Sequence, residues 1–476
     1  MRAATGQETT FAKHKDPYIL DQAHIQEPPT RFGQRLKFLG PGMITGAAVV
    51  GSGELLTATA LGAQVGFMLF WLVLVSTFVK VWVQVELARW SISTGKAAIT
   101  GYNQVPPKIA GRGWMAWLVL FMFLQFLIGQ AGVIGGAALA FSMLFPIGGD
   151  PFSFMSISLW VAILVVIAIA IHLANRYEIV ENISTVLVML VTLFAVAMVF
   201  LIQFTEYSWS LGDLGDGLRF QVAAGAMGVA LAMFGMTGVG AGEITAYTYW
   251  VVEKGYAAWS GPNDGTQAWV DRARGWIRVM KLDAWVSWII YTISTMAFYM
   301  LGAAVLHPQP DLRPKGNEVM TVISSIFETA VGQWGGVLFL IGAGVALFKT
   351  ILANVPSLGR QVANTLAVFG AFDWTNMVTR DKWMKIIMVV LPITWGTLAI
   401  FAANPLELVI IAGILNALFL IGVAISTIYL SRTQTDPRVK DGSFFTVMLL
   451  ISALSIIAVG VLSFRDVWTQ ITNLFG

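Results

Sequence analysis

The chain has 476 residues, 57% of them hydrophobic and only 12% charged, with a mean hydropathy of +0.74. Soluble domains carry roughly 25% charged residues, so an ordinary water-soluble fold is excluded. Cysteine is absent, which removes disulfide frameworks, thiol chemistry and Cys-based zinc sites, and a net charge of +3 is too small to point to nucleic acid.

The first 37 residues are polar and contain no apolar h-region, so no cleaved signal peptide is expected. Apolar runs of about 20 residues then recur, each long enough for a roughly 30 Å hydrocarbon core. The two-residue alternation of a transmembrane barrel is missing. The pattern predicts an all-α integral membrane protein of eleven spans, at about 38–64, 67–90, 115–144, 155–174, 179–203, 221–250, 282–306, 328–353, 383–402, 405–431 and 444–464. Pro and Gly mark the junctions, as in "FPIGGDP" and "SGPNDG". Between spans six and seven, residues 251–280 carry Trp259, Trp269, Trp276 and alternating Arg. That pattern suits an amphipathic helix at a membrane surface, and a folded loop fits it nearly as well.

Lys and Arg are biased to one side: Arg2, Lys13, Lys15, Arg31, Arg35, Lys37, the Lys108/Arg112 pair, the run Arg272 to Lys281, and Arg432, Arg438 and Lys440. The other side keeps little more than Arg219, Arg313, Lys315 and Arg465. The bias predicts the orientation, N-terminus cytoplasmic and C-terminus outside, and a cell membrane is the expected location.

Two short stretches repeat. "GSGELLTAT" (51–59) in span one and "GAGEITAYT" (240–248) in span six both read Gly-x-Gly-Glu-aliphatic, five spans apart. Five is odd, so the two helices cross in opposite directions. The chain then divides into a tail (1–37), a five-span repeat (38–203), its inverted partner (221–431) and an eleventh span (444–464). Paired Gly-interrupted spans at matching places in two halves point to a transporter site near the midplane. Glycine lets the chain leave helical geometry and frees backbone carbonyls and amides. Such backbone survives at membrane depth only where it lines a cavity or is buried in protein. A carboxylate there is costly unless it meets a cation or takes up a proton. Glu54 and Glu243 are therefore expected to face each other across the repeat axis as the centre of an oxygen-rich cation site, with Gly51, Ser52 and Gly240 supplying freed backbone. Close helix packing is the plainer use of such glycines.

The run "GPGMITGAAVVGSGELLTATALGAQVGF" (40–67), followed by "VQVELARWSISTGK" (83–96), resembles the natural-resistance-associated macrophage protein (Nramp) family. That family has a GPG start, a DPGN break, a GAxxGY end and a Q-x-x-x-AR-x-x-x-x-TG second helix. The matching residues are Gly40, Pro41, Gly42, Gly62, Ala63, Gly66, Phe67, Gln84, Ala88, Arg89, Thr94 and Gly95. The resemblance covers about the first 100 residues closely and the eleven-span layout more loosely. It implies a LeuT-type 5+5 inverted-repeat fold with spans one and six broken, and proton-linked uptake of divalent metal ions.

The departures alter that implication. The family's DPGN falls on Gly51, Ser52, Gly53 and Glu54, so its metal-binding Asp is lost. Its MPH falls near Gly240, Ala241 and Gly242, and the thioether ligand is missing unless Met236, about one turn earlier, replaces it. The acidic pair of span three falls on Gly129 and Gly132 when "VIG" (133–135) is the anchor, and the second His of span six falls on Tyr247. Proton coupling is thereby put in question. Carboxylate, carbonyl and water favour Mg²⁺, Ca²⁺ or Mn²⁺ over softer metals. The expected substrate is a hard divalent ion, Mg²⁺ or Mn²⁺, with no cofactor and with no partner beyond the ion and the lipid bilayer.

Four further residues stand beside this site. Lys80 and Lys349 lie in the inner halves of spans two and eight, where snorkelling to the interface is the ordinary reading. The sharper reading for Lys349 is a tethered cation that lessens the need for a coupling ion. Gln130 is placed to hydrogen-bond water in the cavity, and Asn416, mid-span ten, suits a ligand or a helix-packing amide equally. Glu86 and Arg89, three apart, suit a local ion pair. The four His lie mostly in tails and loops, so no His-bound metal is expected in the core.

Two rival functions remain. A LeuT-type carrier of an organic solute, an amino acid or a cationic amine, would also use two buried acids, and fold does not fix function. An intramembrane aspartyl protease would need Asp in GxGD and YD contexts, and the chain has neither, so an enzyme is not expected.

Overall fold

The computed structural model describes residues 16–174, 177–221, 225–309, 311, 318–401 and 404–475, with the backbone alone at 47, 52, 177–185, 187–188, 330–331 and 463–475. Arg2, Lys13, Lys15, Arg313 and Lys315 lie outside the described residues, as do the side chains of Ser52 and Arg465.

The described residues are mostly helical, with one short antiparallel strand pair at Lys108–Ile109 and Arg112–Gly113. In order come α1 (Pro41–Val49), α2 (Thr59–Val65), α3 (Phe70–Thr94), α4 (Trp114–Leu144), α5 (Phe154–Leu173), α6 (Tyr177–Leu201), α7 (Met227–Met236), α8 (Ala241–Lys254), α9 (Gln267–Leu301), α10 (Gln333–Val368), α11 (Met377–Phe401), α12 (Pro405–Gln434) and α13 (Ser443–Phe475). Among the described residues nine helices are long and apolar enough to cross a bilayer: α3, α4, α5, α7 with α8, α9 with the π-turn that follows it, and α10 to α13.

Local chemistry sets the ends. Pro41 opens α1 where no amide donor is needed, and Asn404 caps α12 ahead of Pro405. Gly95 stops α3 at φ 71°, a left-handed turn that only glycine takes freely. The stretch 251–280 divides into the end of α8, a short helix Tyr256–Ser260 and the first turns of α9, which run on unbroken into the apolar helix. Trp269 and Trp276 within it are fully buried. The Trp276 indole donates to the carbonyl of Gln26, so the N-terminal segment covers it.

The interior is built from α3, α4, α7 with α8, α9, α10 and α12, with small residues at the crossings. A Cβ at Gly132 of α4 would lie 2.6 Å from the Pro405 carbonyl oxygen and 2.8 Å from Val409, so α4 and α12 meet backbone to backbone. Gly235 of α7 faces the carbonyl of Gly413 in α12 at similarly close quarters. On the outside, α5, α11 and α13 present Leu159, Ile163, Val166, Val390, Ile393 and Leu454 to the surroundings. So much exposed apolar surface is at home in lipid.

Candidate cation site

Both glycine-interrupted segments are broken, and the breaks touch. At the first, α1 ends at Val49, Val50 turns to ψ 101°, and a π-turn over Ser52–Ala58 carries the chain into α2. At the second, α7 ends at Met236, Gly238 takes φ 62°, and α8 starts at Ala241. A Cβ at Gly53 would lie 2.7 Å from the Met236 carbonyl carbon, so glycine there lets the two breaks meet.

Each Glu occupies the third position of the half-helix that follows its break. Glu54 Oε2 accepts from the Gly51 amide at 3.3 Å, and Glu243 Oε2 accepts from the Gly240 amide at 3.1 Å. A carboxylate at a helix start meets the positive end of the peptide dipoles. The two acids then part company. Glu54 is fully buried, and its Oε1 accepts from the Gly238 amide at 3.2 Å and lies 3.3 Å from the Thr295 hydroxyl. Glu243 instead lines a small cavity with Gln125, Gln130, Met236, Asn354 and Asn416. A second small cavity adjoins it along Glu243, Asn354, Ser357 and Gln361.

The expected pairing of two acids around one void is therefore absent in this conformation. Glu243, Met236, Gln130 and Asn416 come together, whereas Glu54 and Gly51 lie behind the break. No group of three or more His, Asp or Glu is placed to hold a metal among the described residues. The carboxamide oxygens of Gln125, Gln130 and Gln361 are buried without a hydrogen-bond partner, a costly arrangement unless water or an ion meets them.

Asn416 bridges the second break. Its Oδ1 accepts from the Ala241 amide at 3.0 Å and its Nδ2 donates to the Gly235 carbonyl at 2.9 Å, so one side chain satisfies both ends of the gap. Tyr247 is turned away from the cavity. Its hydroxyl lies 3.0 Å from Asp283, whose carboxylate accepts from the amides of Gly40 and Gly42 and so caps α1 from α9. Sequence reasoning misses Asp283 because the apolar run of span seven begins at about 282, which sets this acid at an apparent membrane edge. The signal in the sequence is an acid at the head of an apolar helical run.

Neither lysine snorkels. Both are buried. Lys349 donates to the Val50 carbonyl at 2.8 Å, at the end of α1. Lys80 donates to the carbonyls of Phe234 and of Thr237, the latter at 2.6 Å, at the end of α7.

Away from the breaks, Arg89 joins Glu86 at 2.5 Å and also binds Asp441, which Lys281 shares. The N-terminal segment is pinned to helices far away in sequence: Asp16 pairs with buried Arg380 through two 3.0 Å bonds, and the Tyr18 hydroxyl donates to Glu253 at 2.6 Å. Burial and the Glu253 charge push the Tyr18 phenol well above its ordinary range. Asp436 goes the other way, held low chiefly by the Arg438 guanidinium.

A model of the family described as natural resistance-associated macrophage protein-like matches residues 42–466. The metal transporter nramp1 homolog of Dictyostelium discoideum is 28% identical over 95 residues, which are 19% of this chain and 18% of that protein's length. The solved structure of a manganese transporter mutant from Eremococcus coleocola superposes with a TM-score of 0.69 at 16% identity, covering 96% of this chain and 92% of that one. Mhp1, a nucleobase-cation-symport-1 family transporter, superposes with a TM-score of 0.55 at 12% identity, covering 93% and 95%. Likenesses at these identities speak for a shared LeuT-type fold.

Proposed function

The chain belongs to the Nramp family, whose members are transporters and not enzymes, and from that premise we propose that it carries a divalent metal ion across a membrane by alternating access. The ion passes through the cavity where the two helix breaks meet. The observation that carries this reading is the cavity wall itself: one carboxylate, Glu243, among carboxamide oxygens of which those of Gln125 and Gln130 have no partner. Neutral oxygens and a single acid suit a hard ion that keeps part of its water shell, as Mg²⁺ does. Met236 lines the same wall, a thioether residue that would extend the range toward Mn²⁺, and Mg²⁺ or Mn²⁺ is the proposed cargo.

The same reading leaves protons uncoupled. Helix α4 holds neither Asp nor Glu, and at Gly132 the Pro405 carbonyl and Val409 leave no room for a side chain. The bias of Lys and Arg supports a cytoplasmic N-terminus and an external C-terminus.

Uptake of Mg²⁺, Mn²⁺ and Ca²⁺ into proteoliposomes, with internal pH followed in the same vesicles, tests the proposal. Saturable Mg²⁺ or Mn²⁺ flux without acidification is expected. Flux with acidification would overturn the uncoupled reading, and no divalent flux would overturn the cargo and favour an organic cation.

A further inference from the structure

We propose that Lys349 and Lys80 are resident counter-ions that stand on the freed backbone carbonyls at the two helix breaks, where a small cation would otherwise bind. The last carbonyls of a helix lack internal partners and form the negative end of its dipole. In broken-helix carriers such carbonyls are the ones that coordinate a coupling ion. Here both are taken. The ammonium of Lys349 sits on the Val50 carbonyl that ends α1, and that of Lys80 on the Phe234 and Thr237 carbonyls that end α7.

The opposite ends are closed in the same manner and with the opposite sign. Glu54 accepts from the Gly51 amide and Glu243 from the Gly240 amide, each at the start of the half-helix that follows. Every broken end is thus met by a charged side chain of the chain itself, two acidic and two basic. The set balances without an added ion.

The Lys349 position has the further parts of a small-cation site around it. Thr350 Oγ1 and the Ala346 carbonyl both lie against Gly51, and a Cβ on that glycine would come 3.1 Å from the Ala346 oxygen. Removing the ammonium frees the Val50 carbonyl next in the chain to Gly51, against which that carbonyl and hydroxyl pack, the hydroxyl donating to the Ala346 oxygen at 3.1 Å. Neutral oxygens of this kind suit a small hard cation.

The test uses the purified full chain and needs no divalent ion, so its outcome is separate from that of the transport reading. ²²Na⁺ binding and thermal unfolding are compared in sodium, methylammonium and choline chloride for the wild type and for Lys349→Ala. The wild type is expected to bind no ²²Na⁺ and to unfold at one temperature in all three salts. Lys349→Ala is expected to bind ²²Na⁺ saturably and to unfold several degrees higher in sodium or methylammonium than in choline. If the variant fails to fold in choline, its recovery in sodium or methylammonium supports the proposal and failure in all three overturns it. Sodium stabilisation of the wild type, or a folded variant indifferent to all three salts, overturns it as well.

Discussion

The carboxylate of Glu54 accepts a hydrogen bond from the Gly238 amide at 3.2 Å, so the acid of one broken helix is held by the break in the other. Glu243 makes no matching reach back and faces the cavity instead. The repeat is symmetric in sequence and asymmetric in use: one Glu ties the two breaks together and the other is left for a ligand.

Substitution by Gln separates the two roles. At Glu54 an amide group would set a donor against donors from Gly51, Gly238 or Thr295, and a loss of about 1–3 kcal/mol of stability is expected. Glu243→Gln keeps an acceptor for Gly240 and should fold normally, yet weaken Mn²⁺ binding roughly tenfold or more, about 1.4 kcal/mol. Thermal unfolding and Mn²⁺ titration of the two variants check this. Equal effects on both measurements would refute the division of labour.

Asn416→Ala removes both bonds across the second break and strands a buried amide and a buried carbonyl. A cost of about 2–3 kcal/mol is expected, with protection of the Ala241 amide lost in hydrogen exchange. Unchanged exchange at Ala241 would show that the bridge does not hold the break.

The N-terminal segment should come loose when its anchor goes. Asp16→Ala takes from the buried Arg380 guanidinium its two 3.0 Å bonds and leaves it the Trp374 carbonyl and, at 4.0 Å, Asp381, so a cost below the roughly 3–5 kcal/mol of a fully stripped buried pair is expected. Limited proteolysis is expected to cut between residues 16 and 31 in the variant while the wild type resists. Tyr18→Phe, which gives up one bond to Glu253, should show a weaker version of the same change.

Acid should act partly through Asp436. Its carboxyl is held below the ordinary range by hydrogen bonds from Arg438, then by the backbone and Asn263. A group whose value is lowered by folding adds stability above its unfolded value of about 3.9 and gives it up as pH falls below that toward the folded value. The margin of the wild type over Asp436→Asn should therefore be full from pH 5 to 7 and shrink below about pH 4. Arg438 is substantially exposed, so the margin will be small. Melting curves across that pH range decide the matter, and a margin that grows on acidification would refute it.

The parts of the site written in local sequence were legible, and the parts made by distant contacts were not. Gly-x-Gly-Glu announces a helix break with an acid at its third position, and both breaks stand where the motif lies. Which way each acid turns depends on what the other half presents, and Gly238 is 184 positions from Glu54. The lysines misled for a physical reason. Snorkelling assumes that water is the nearest acceptor, whereas Lys80 and Lys349 had the unpaired carbonyls of a broken helix closer at hand. Asn416 could be read as packing or as ligand, and it bridges the backbone while lining the cavity.

The tight meeting of α4 and α12 bears on how such a chain can change over generations. An acid at position 132 would collide with the Pro405 carbonyl and with Val409, so that substitution alone does not fit the present crossing. Val409 would first have to shrink and α12 to shift outward, and each step alone loosens a crossing that the rest of the bundle leans on. The order of mutations then matters as much as their sum. A chain whose helices close this tightly has few short routes to a protonatable group at position 132.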